Sequence, residues 1–425
     1  MNQLLTRTAD KTSDRYLHWD ELRRRSPPDG LTHEEWWVAE KMGRSVSAQE
    51  VPLRDDSQAP FCYSFPAPIQ ELVHRIDLRA GGRVGMPAQI TNPETRDQYY
   101  VASLIEEAIT SSQLEGASTT RQVAKEMIRS GRAPSDRSER MILNNYRTMQ
   151  AIRSHKDSPL SPDLLFEIQH SVTHGTIDDD TAAGRLRRPE ESIHVVDERD
   201  VTVLHTPPPA GQLPQRLDEM CAFANAAEGD SAPFLHPVLR SIILHFWLAY
   251  EHPFVDGNGR TARALFYWSM LRHGYRLVEF LTISHIIRRA PAQYARAFLH
   301  TETDDNDLTY FIHYNLGVLD LAMRALNQYI ARKSEQRQQL EPVLRGLTDL
   351  NHRQRALLGH ALRHPNYRYT IHEHRMSHGV VYQTARTDLL ELVEVGLLDA
   401  RKLRNRWYFN PIADLENRLS GTPGG

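Results

Sequence analysis

Cysteine is nearly absent: the 425 residues hold only Cys62 and Cys221, far apart and without a CxxC pair. This argues against a disulfide framework and leaves no cysteine zinc set, because either needs several thiols at defined spacing. Long apolar runs are missing too, and no stretch approaches the roughly 20 apolar residues that a membrane-spanning helix needs. No membrane partner is expected. The start, Met1 to Asp14, is polar and lacks the apolar run and small-residue pattern of a secretory leader, so the cytoplasm is the expected compartment. An excess of one charge is also lacking, since 51 Lys and Arg stand against 54 Asp and Glu for a net charge of -3. Any surface for nucleic acid must then be local.

What is present is the make-up of a globular protein, 40% hydrophobic and 25% charged. At roughly 150 residues per domain, the length suggests about two or three units. Proline and glycine cluster at Ser26 to Gly30, at Pro207 to Pro209 and in the tail Gly421 to Gly425, and most segments between them have helical periodicity. The expected fold class is mainly α. Thr32 followed by Glu35 has capping-box spacing and predicts a helix through Trp36, Trp37 and Ala39. These tryptophans and Trp19 belong to a helical preface, expected to pack on the core or to build an interface. From Asp97 onward, Val101, Leu104, Ile105, Ala108 and Ile109 fall on one helical face, with a stop near Glu115 and Gly116. Ile193 to Leu204 has β-branched residues on both sides of a charged turn and reads as a hairpin. Helical character resumes over Pro237 to Tyr250, Asn258 to Leu271, Pro291 to His300 and Leu308 to Leu326, and the chain turns polar beyond about Glu335.

The chemistry concentrates in His252-Pro253-Phe254-Val255-Asp256-Gly257-Asn258-Gly259-Arg260-Thr261-Ala262-Arg263, between two predicted helices. Gly257 and Gly259 let backbone amides approach a ligand without a Cβ in the way. A glycine-rich loop that opens a helix is an anion site, because the first amides of the helix are unpaired and lie at its positive end. Arg260 and Arg263, three residues apart, fall on one side of that helix and can hold successive phosphates. Asp256 could bind Mg²⁺, which favours one or two carboxylates together with phosphate oxygens. His252, with an ordinary pKa near 6.5, can take the proton of an attacking hydroxyl at neutral pH.

Together these twelve positions resemble the Fic family motif, HxFx(D/E)GNGRxxR, without departure at any defining position. The resemblance extends over roughly Tyr100 to Leu326, through Gly184 and Arg185, His236-Pro237, His245 and Asp307-Leu308-Thr309. It implies an all-helical core with a β-hairpin flap. It also implies a protein adenylyltransferase that moves AMP from ATP to a Tyr, Ser or Thr hydroxyl of a protein, itself included, and releases pyrophosphate. In that reading His252 is the base, Asp256 the Mg²⁺ ligand and Phe254 a core anchor, while Gly257, Asn258, Gly259, Arg260 and Arg263 cradle the triphosphate. The hairpin resembles the flap that aligns a target segment by strand addition through Ile193, His194, Val195 and Val196. Tyr294 resembles the first of a tyrosine pair near the nucleoside, although the second position is Ala295. Related enzymes transfer UMP with the same motif, so AMP follows the family's commoner habit.

Ser111-Ser112-Gln113-Leu114-Glu115-Gly116 resembles the family's inhibitory motif, (S/T)xxxE(G/N), in the class where it lies on a helix ahead of the catalytic motif. Ser111, Glu115 and Gly116 are its defining residues. The resemblance implies that Glu115 pairs with Arg263 and takes the guanidinium needed by the γ-phosphate. In some relatives this glutamate also helps remove AMP, so a bifunctional enzyme is one alternative.

From Arg353 to Asn410 the pattern reads helix, strand, helix, strand pair: Gln354 to Arg363, Tyr369 to Ile371, Val380 to Glu394, then Gly396 to Leu398 and Trp407 to Phe409. This resembles a winged helix-turn-helix, with Thr384 to Leu389 at the recognition position and Arg401, Lys402, Arg404 and Arg406 in the wing. A DNA-binding regulator is the other alternative, opposed by Asp388, Glu391 and Glu394 on the same helix. Histidines 360, 364, 372, 374 and 378 lack a metal-ligand spacing. The expected division is a preface over 1–60, a catalytic domain over 61–335 with an inhibitory helix at 97–116 and a flap at 193–204, and a winged-helix-like unit over 345–415. A homodimer is a further expectation among the partners.

Overall fold

A computed structural model describes residues 16–80, 87, 90, 92–196, 202–226, 234–344, 350–403 and 406–419. Helices dominate these residues, as the periodicity predicts, and the strands form three two-stranded antiparallel hairpins. The preface contains α1 (Trp19–Leu22) and α2 (His33–Ser45). The capping box of α2 is present in both directions: Glu35 N–H donates to Thr32 Oγ1 at 3.2 Å and Thr32 N–H to the Glu35 carboxylate at 2.9 Å. Trp36 is buried.

A hairpin follows that the sequence reading did not anticipate, β1 (Gln49–Arg54) with β2 (Pro60–Tyr63). Its inward positions alternate, with Val51, Leu53, Phe61 and Tyr63 all buried. Pro52 inside β1 and the charges at Arg54, Asp55 and Asp56 obscure that period in the sequence.

After α3 (Ala67–Ala80), α4 runs from Pro93 to Leu114, starting earlier than Asp97. Its predicted face is buried, and Val101, Leu104, Ile105, Ala108 and Ile109 join Met127 and Ile128 of α5 (Arg121–Ser130) and Ile142 of α6 (Arg137–His155) in one cluster. The helix stops because Gly116 takes a left-handed φ of 88° and Ala117 N–H turns back to Ser112 O at 3.0 Å.

The main core is built from α7 (Pro162–Thr173), α8 (Leu213–Asn225), α9 (Pro237–Glu251), α10 (Asn258–Arg272), α11 (Ile283–Arg289), α12 (Pro291–Thr303) and α13 (Thr309–Leu344). From Arg260 to Leu271 every residue of α10 is buried, so this helix runs through the centre of the bundle. Between α7 and α8 lies the short hairpin β3 (Val195–Val196) and β4 (Val203–His205). Residues 197–201 of the expected flap lie outside the described residues.

The C-terminal segment has its own core around Leu358, Ile371, Leu389, Leu392 and Phe409. It comprises α14 (His352–Arg363), α15 (Ile371–His378), α16 (Tyr382–Glu394), the hairpin β5 (Leu398–Leu403) with β6 (Arg406–Pro411), and α17 (Leu415–Leu419). The expected strand over Tyr369 to Ile371 shrinks to a single bridge between Tyr369 and Phe409. Thr370 instead caps α15 by accepting from Glu373 N–H at 3.2 Å, and the polar, histidine-rich α15 gave no periodic signal. Arg404 lies outside the described residues.

Candidate active site

The site forms where α9 ends and α10 begins. His252 caps α9 at φ 44° and ψ 54°, left-handed values that a non-glycine residue adopts only where its surroundings impose them. Two features impose them. His252 N–H bonds Leu248 O at 3.1 Å, and Arg187 holds the other side, with Nε donating to His252 O at 2.9 Å and its own N–H to Pro253 O at 2.9 Å. Burial pushes the His252 imidazole down to about 4, only partly opposed by the Ala249 carbonyl, so the ring is neutral at physiological pH.

Asn258 then shapes the loop from within. Its Oδ1 accepts from Phe254 N–H at 3.0 Å and its Nδ2 donates to Phe254 O at 2.8 Å, while Phe254 is fully buried. With both polar ends committed to backbone, the Asn258 side chain acts on the loop's shape. Gly257 enters α10 at φ 82°, and a Cβ there would lie 2.6 Å from Thr173 Cγ2. Gln169 of α7 donates to Asp256 O at 2.9 Å and accepts from Gly184 N–H, tying a second segment to the loop. The first turn of α10 thereby presents its amides with no side-chain cap.

The two arginines differ. Arg260, 1% exposed, donates to Val172 O at 2.7 Å and approaches Asp256 Oδ1 at 3.3 Å, and its Nε has no hydrogen-bond partner among the described residues. Arg263, 2% exposed, is held by α4 and the residue just past it: Nε donates to Ser111 Oγ at 2.8 Å, and Nη2 donates to Ser111 O and to Glu115 Oε1, each at 2.9 Å. Burial alone would raise the Glu115 carboxyl, but Arg263 and then Arg260 more than reverse this and hold it below its ordinary value. The same carboxylate lies on Gly259, where a Cβ would stand 2.3 Å from Glu115 Oε1. Gly116 terminates α4.

Tyr294 of α12 is brought to this cluster, its hydroxyl 2.8 Å from His245 Nε2. Burial pushes His245 down to about 3, so that ring is neutral as well. The flap residues stand apart: Val195 pairs with His205 and Val196 with Val203 across a bulge, and Val196 is 40% exposed. The base of the flap is anchored, because His205 meets Glu302 at 2.7 Å and the Tyr250 carbonyl at 2.7 Å, two residues before His252. Arg187, Gln169 and His205 were missed from the sequence. Most of their bonds go to backbone atoms, which leave no residue pattern to read.

A separate convergence, His18, Asp20 and His300, brings one ligand atom of each within 4.8 Å. The two rings stack with centroids 3.8 Å apart and planes 11° apart, so no nearby point lies in both ring planes as a shared metal ion requires.

The fold and the loop define a helical protein with an uncapped helix start beside a half-buried histidine. Residues 159–270 match the family model described as Fic/DOC family. It is 30% identical over 147 residues to the protein adenylyltransferase Fic of Drosophila mojavensis, covering 35% of this chain and 26% of that protein. Against the protein of the same name from Drosophila grimshawi the figures are 31% over 140 residues, 33% and 26%. The matches thus span about a quarter of those relatives. The crystal structure of a Fic family protein from Desulfovibrio desulfuricans G20 shares the fold at a TM-score of 0.53 and 21% identity, covering 83% of this chain and 98% of that one.

Proposed function

We propose that this chain is a protein adenylyltransferase that transfers AMP from ATP to a Tyr, Ser or Thr hydroxyl of a protein, itself included, and that Glu115 restrains it through Arg263. The observation that carries the reading is a neutral, strained His252 next to an uncapped helix start with an unpartnered Arg260 Nε. Together these are a proton acceptor and an anion cradle, the two things phosphoryl-type transfer asks of a protein.

The target hydroxyl gives its proton to the His252 imidazole as its oxygen bonds the α-phosphorus. The bond from that phosphorus to the bridging oxygen breaks, and pyrophosphate leaves with the electron pair. The amides at the start of α10, with Arg260, hold the phosphates, and the loop position is fixed by Asn258, Gln169 and Arg187. Asp256 fits a Mg²⁺ ligand, since among the described residues its Oδ2 is approached by Arg137 alone, at 3.8 Å, and one carboxylate with phosphate oxygens suits that ion. Mg²⁺ held there would neutralise phosphate charge. The exposed β3 edge is suited to aligning a target segment by strand addition.

Restraint follows from the same geometry. A triphosphate whose terminal group needs Arg263 finds that guanidinium already bonded by Ser111 and Glu115, with a carboxylate lying over Gly259. In this reading residues 61–335 form the catalytic domain. Mass spectrometry of the Glu115→Gly protein after incubation with Mg²⁺ and each nucleoside triphosphate tests the transfer. An adduct of AMP mass, formed only with ATP and absent in His252→Ala, is expected; a different adduct, or none, overturns it.

A second reading, DNA contact by a winged-helix-like unit over 345–415, gains from one observation. Asp388 is buried and bound to Arg353 at 2.6 Å and His374 at 3.0 Å, so it does not oppose a phosphate backbone. Gln383, Arg386 and Thr387 of α16 and Arg401, Lys402 and Arg406 of the hairpin are exposed. A gel shift of the full chain on duplex DNA tests it, with binding expected to weaken steeply as salt rises. No shift at low salt removes the reading.

A further inference from the structure

Away from the catalytic loop, a cleft of about 620 Å³ opens between the N-terminal half of α4, the side of α6, and the α15–α16 corner. Its size is within the range of small-molecule sites, roughly 300–1,000 Å³. Three cations line it, Arg96, Arg153 and Arg375, against the single carboxylate of Asp97. Two of them are partly committed: Arg96 lies 3.3 Å from Asp97, and Arg153 lies 3.5 Å from Glu279 and over the Tyr100 ring at 5.0 Å. Arg375 is different. It is half-buried and meets only Met376 Sδ, at 3.9 Å, with no carboxylate within ion-pair distance among the described residues.

The rest of the wall sets tyrosines among aliphatic side chains and Met376. Tyr100 and Tyr382 line the cleft, and Tyr382 keeps 53% of its surface exposed at the start of α16, beside Val381 at 69%. A planar guanidinium without a carboxylate is a phosphate receptor, and tyrosine faces beside it are stacking surfaces for a base.

The geometry points to a second ligand site here, one that takes a nucleoside phosphate, with the phosphate on Arg375 and Arg96 and the base against Tyr100 and Tyr382. A bare anion would leave the tyrosines unused, and an apolar ligand would bury Arg375 without a counter-charge, which is unfavourable. The site is distinct from the loop at His252, since none of its lining residues belongs to that loop.

Its position gives it consequence. Met376 of α15 packs on the cluster that buries α4, Gln98 of α4 lies 3.3 Å from His378, and Gly379 passes Asp97 closely enough that a Cβ would lie 3.7 Å away. A ligand filling the cleft therefore fastens the C-terminal segment to the helix that carries Ser111 and, just past its end, Glu115. That last link rests on the proposed restraint by Glu115; the site itself does not.

Equilibrium dialysis of the full chain with radiolabelled ATP, with and without Arg375→Glu or Tyr382→Ala, tests the site. The expected result is a saturable site that Arg375→Glu removes and Tyr382→Ala weakens at least tenfold, and that inorganic phosphate at equal concentration does not displace. Both side chains reach the surface, and an unchanged circular dichroism spectrum would show that the variants fold. ATP binding unaltered by both variants, or displaced equally well by inorganic phosphate, overturns the proposal. Failure of the catalytic reading looks different: no AMP transfer by Glu115→Gly, with the Arg375-dependent site still counted.

Discussion

In the loop from Phe254 to Gly259 most polar contacts are local, as in the two bonds between Asn258 and Phe254, four residues apart. Arg263, one turn further along the same helix, instead reaches Ser111 and Glu115, 152 and 148 positions away. The loop's geometry is largely written in twelve consecutive residues and can be read as spacing. The contact to α4 depends on how three helices pack, and only its two ends carry a residue pattern. The anion cradle thus belongs to one stretch of chain, while the proposed restraint is a tertiary contact that can be removed without touching the cradle.

The largest expected effect breaks the loop's chemistry. In a Glu115→Gly background, His252→Ala should lower transfer by about a thousandfold or more, within the range that a positioned base contributes. Steady-state labelling at saturating ATP measures it, and retention of a tenth of the activity would assign the proton elsewhere. Next comes the long-range support of the loop. Arg187→Ala removes the side-chain bond to the His252 carbonyl while the main-chain bond to Pro253 O remains, and should cost about tenfold to a hundredfold in kcat with little change in KM for ATP, as misplacement of a reacting group does.

A pH series sharpens the same comparison. An imidazole of ordinary pKa near 6.5 would be about nine-tenths protonated at pH 5.5, a loss of about tenfold in rate. With His252 lowered to about 4, the rate of Glu115→Gly should instead change by less than about twofold between pH 8 and 5.5. Because the folded value is the depressed one, the matching stability is fully present above about pH 6.5 and is lost as pH falls through about 4. An acid limb centred near 6.5 would show that the ring is better solvated than its burial implies.

The smallest effect joins the two regions at Gly259. Its Cβ would meet Glu115 Oε1 at 2.3 Å, so Gly259→Ala should destabilise the parent by about 1–2 kcal/mol and cost almost nothing once Glu115 is glycine. Chemical denaturation of the four proteins in that cycle measures the coupling. Equal losses in both backgrounds would mean that the glycine serves the helix alone.

The same contrast explains what was legible in the sequence. Amphipathic spacing located α4, general helical character located α9 and α10, and glycine with histidine and arginine marked the site. The β1–β2 hairpin escaped because Pro52 and the charges from Arg54 to Asp56 interrupt a period-two pattern that burial makes plain. Arg187 and Gln169 escaped because they hold the loop through backbone carbonyls. Asp388 was misjudged as an exposed acid, since nothing local announces its bonds to Asn351, Arg353 and His374.

The most direct test is the label incorporated from α-³²P ATP with Mg²⁺ by four proteins: the parent, Glu115→Gly, His252→Ala and the double variant. Removal of the restraint is expected to raise self-labelling of Glu115→Gly about a hundredfold over the parent, equivalent to about 2.7 kcal/mol of barrier, with both His252→Ala proteins blank. Equal labelling of the parent and Glu115→Gly would contradict the restraint, and labelling of the double variant would contradict the base.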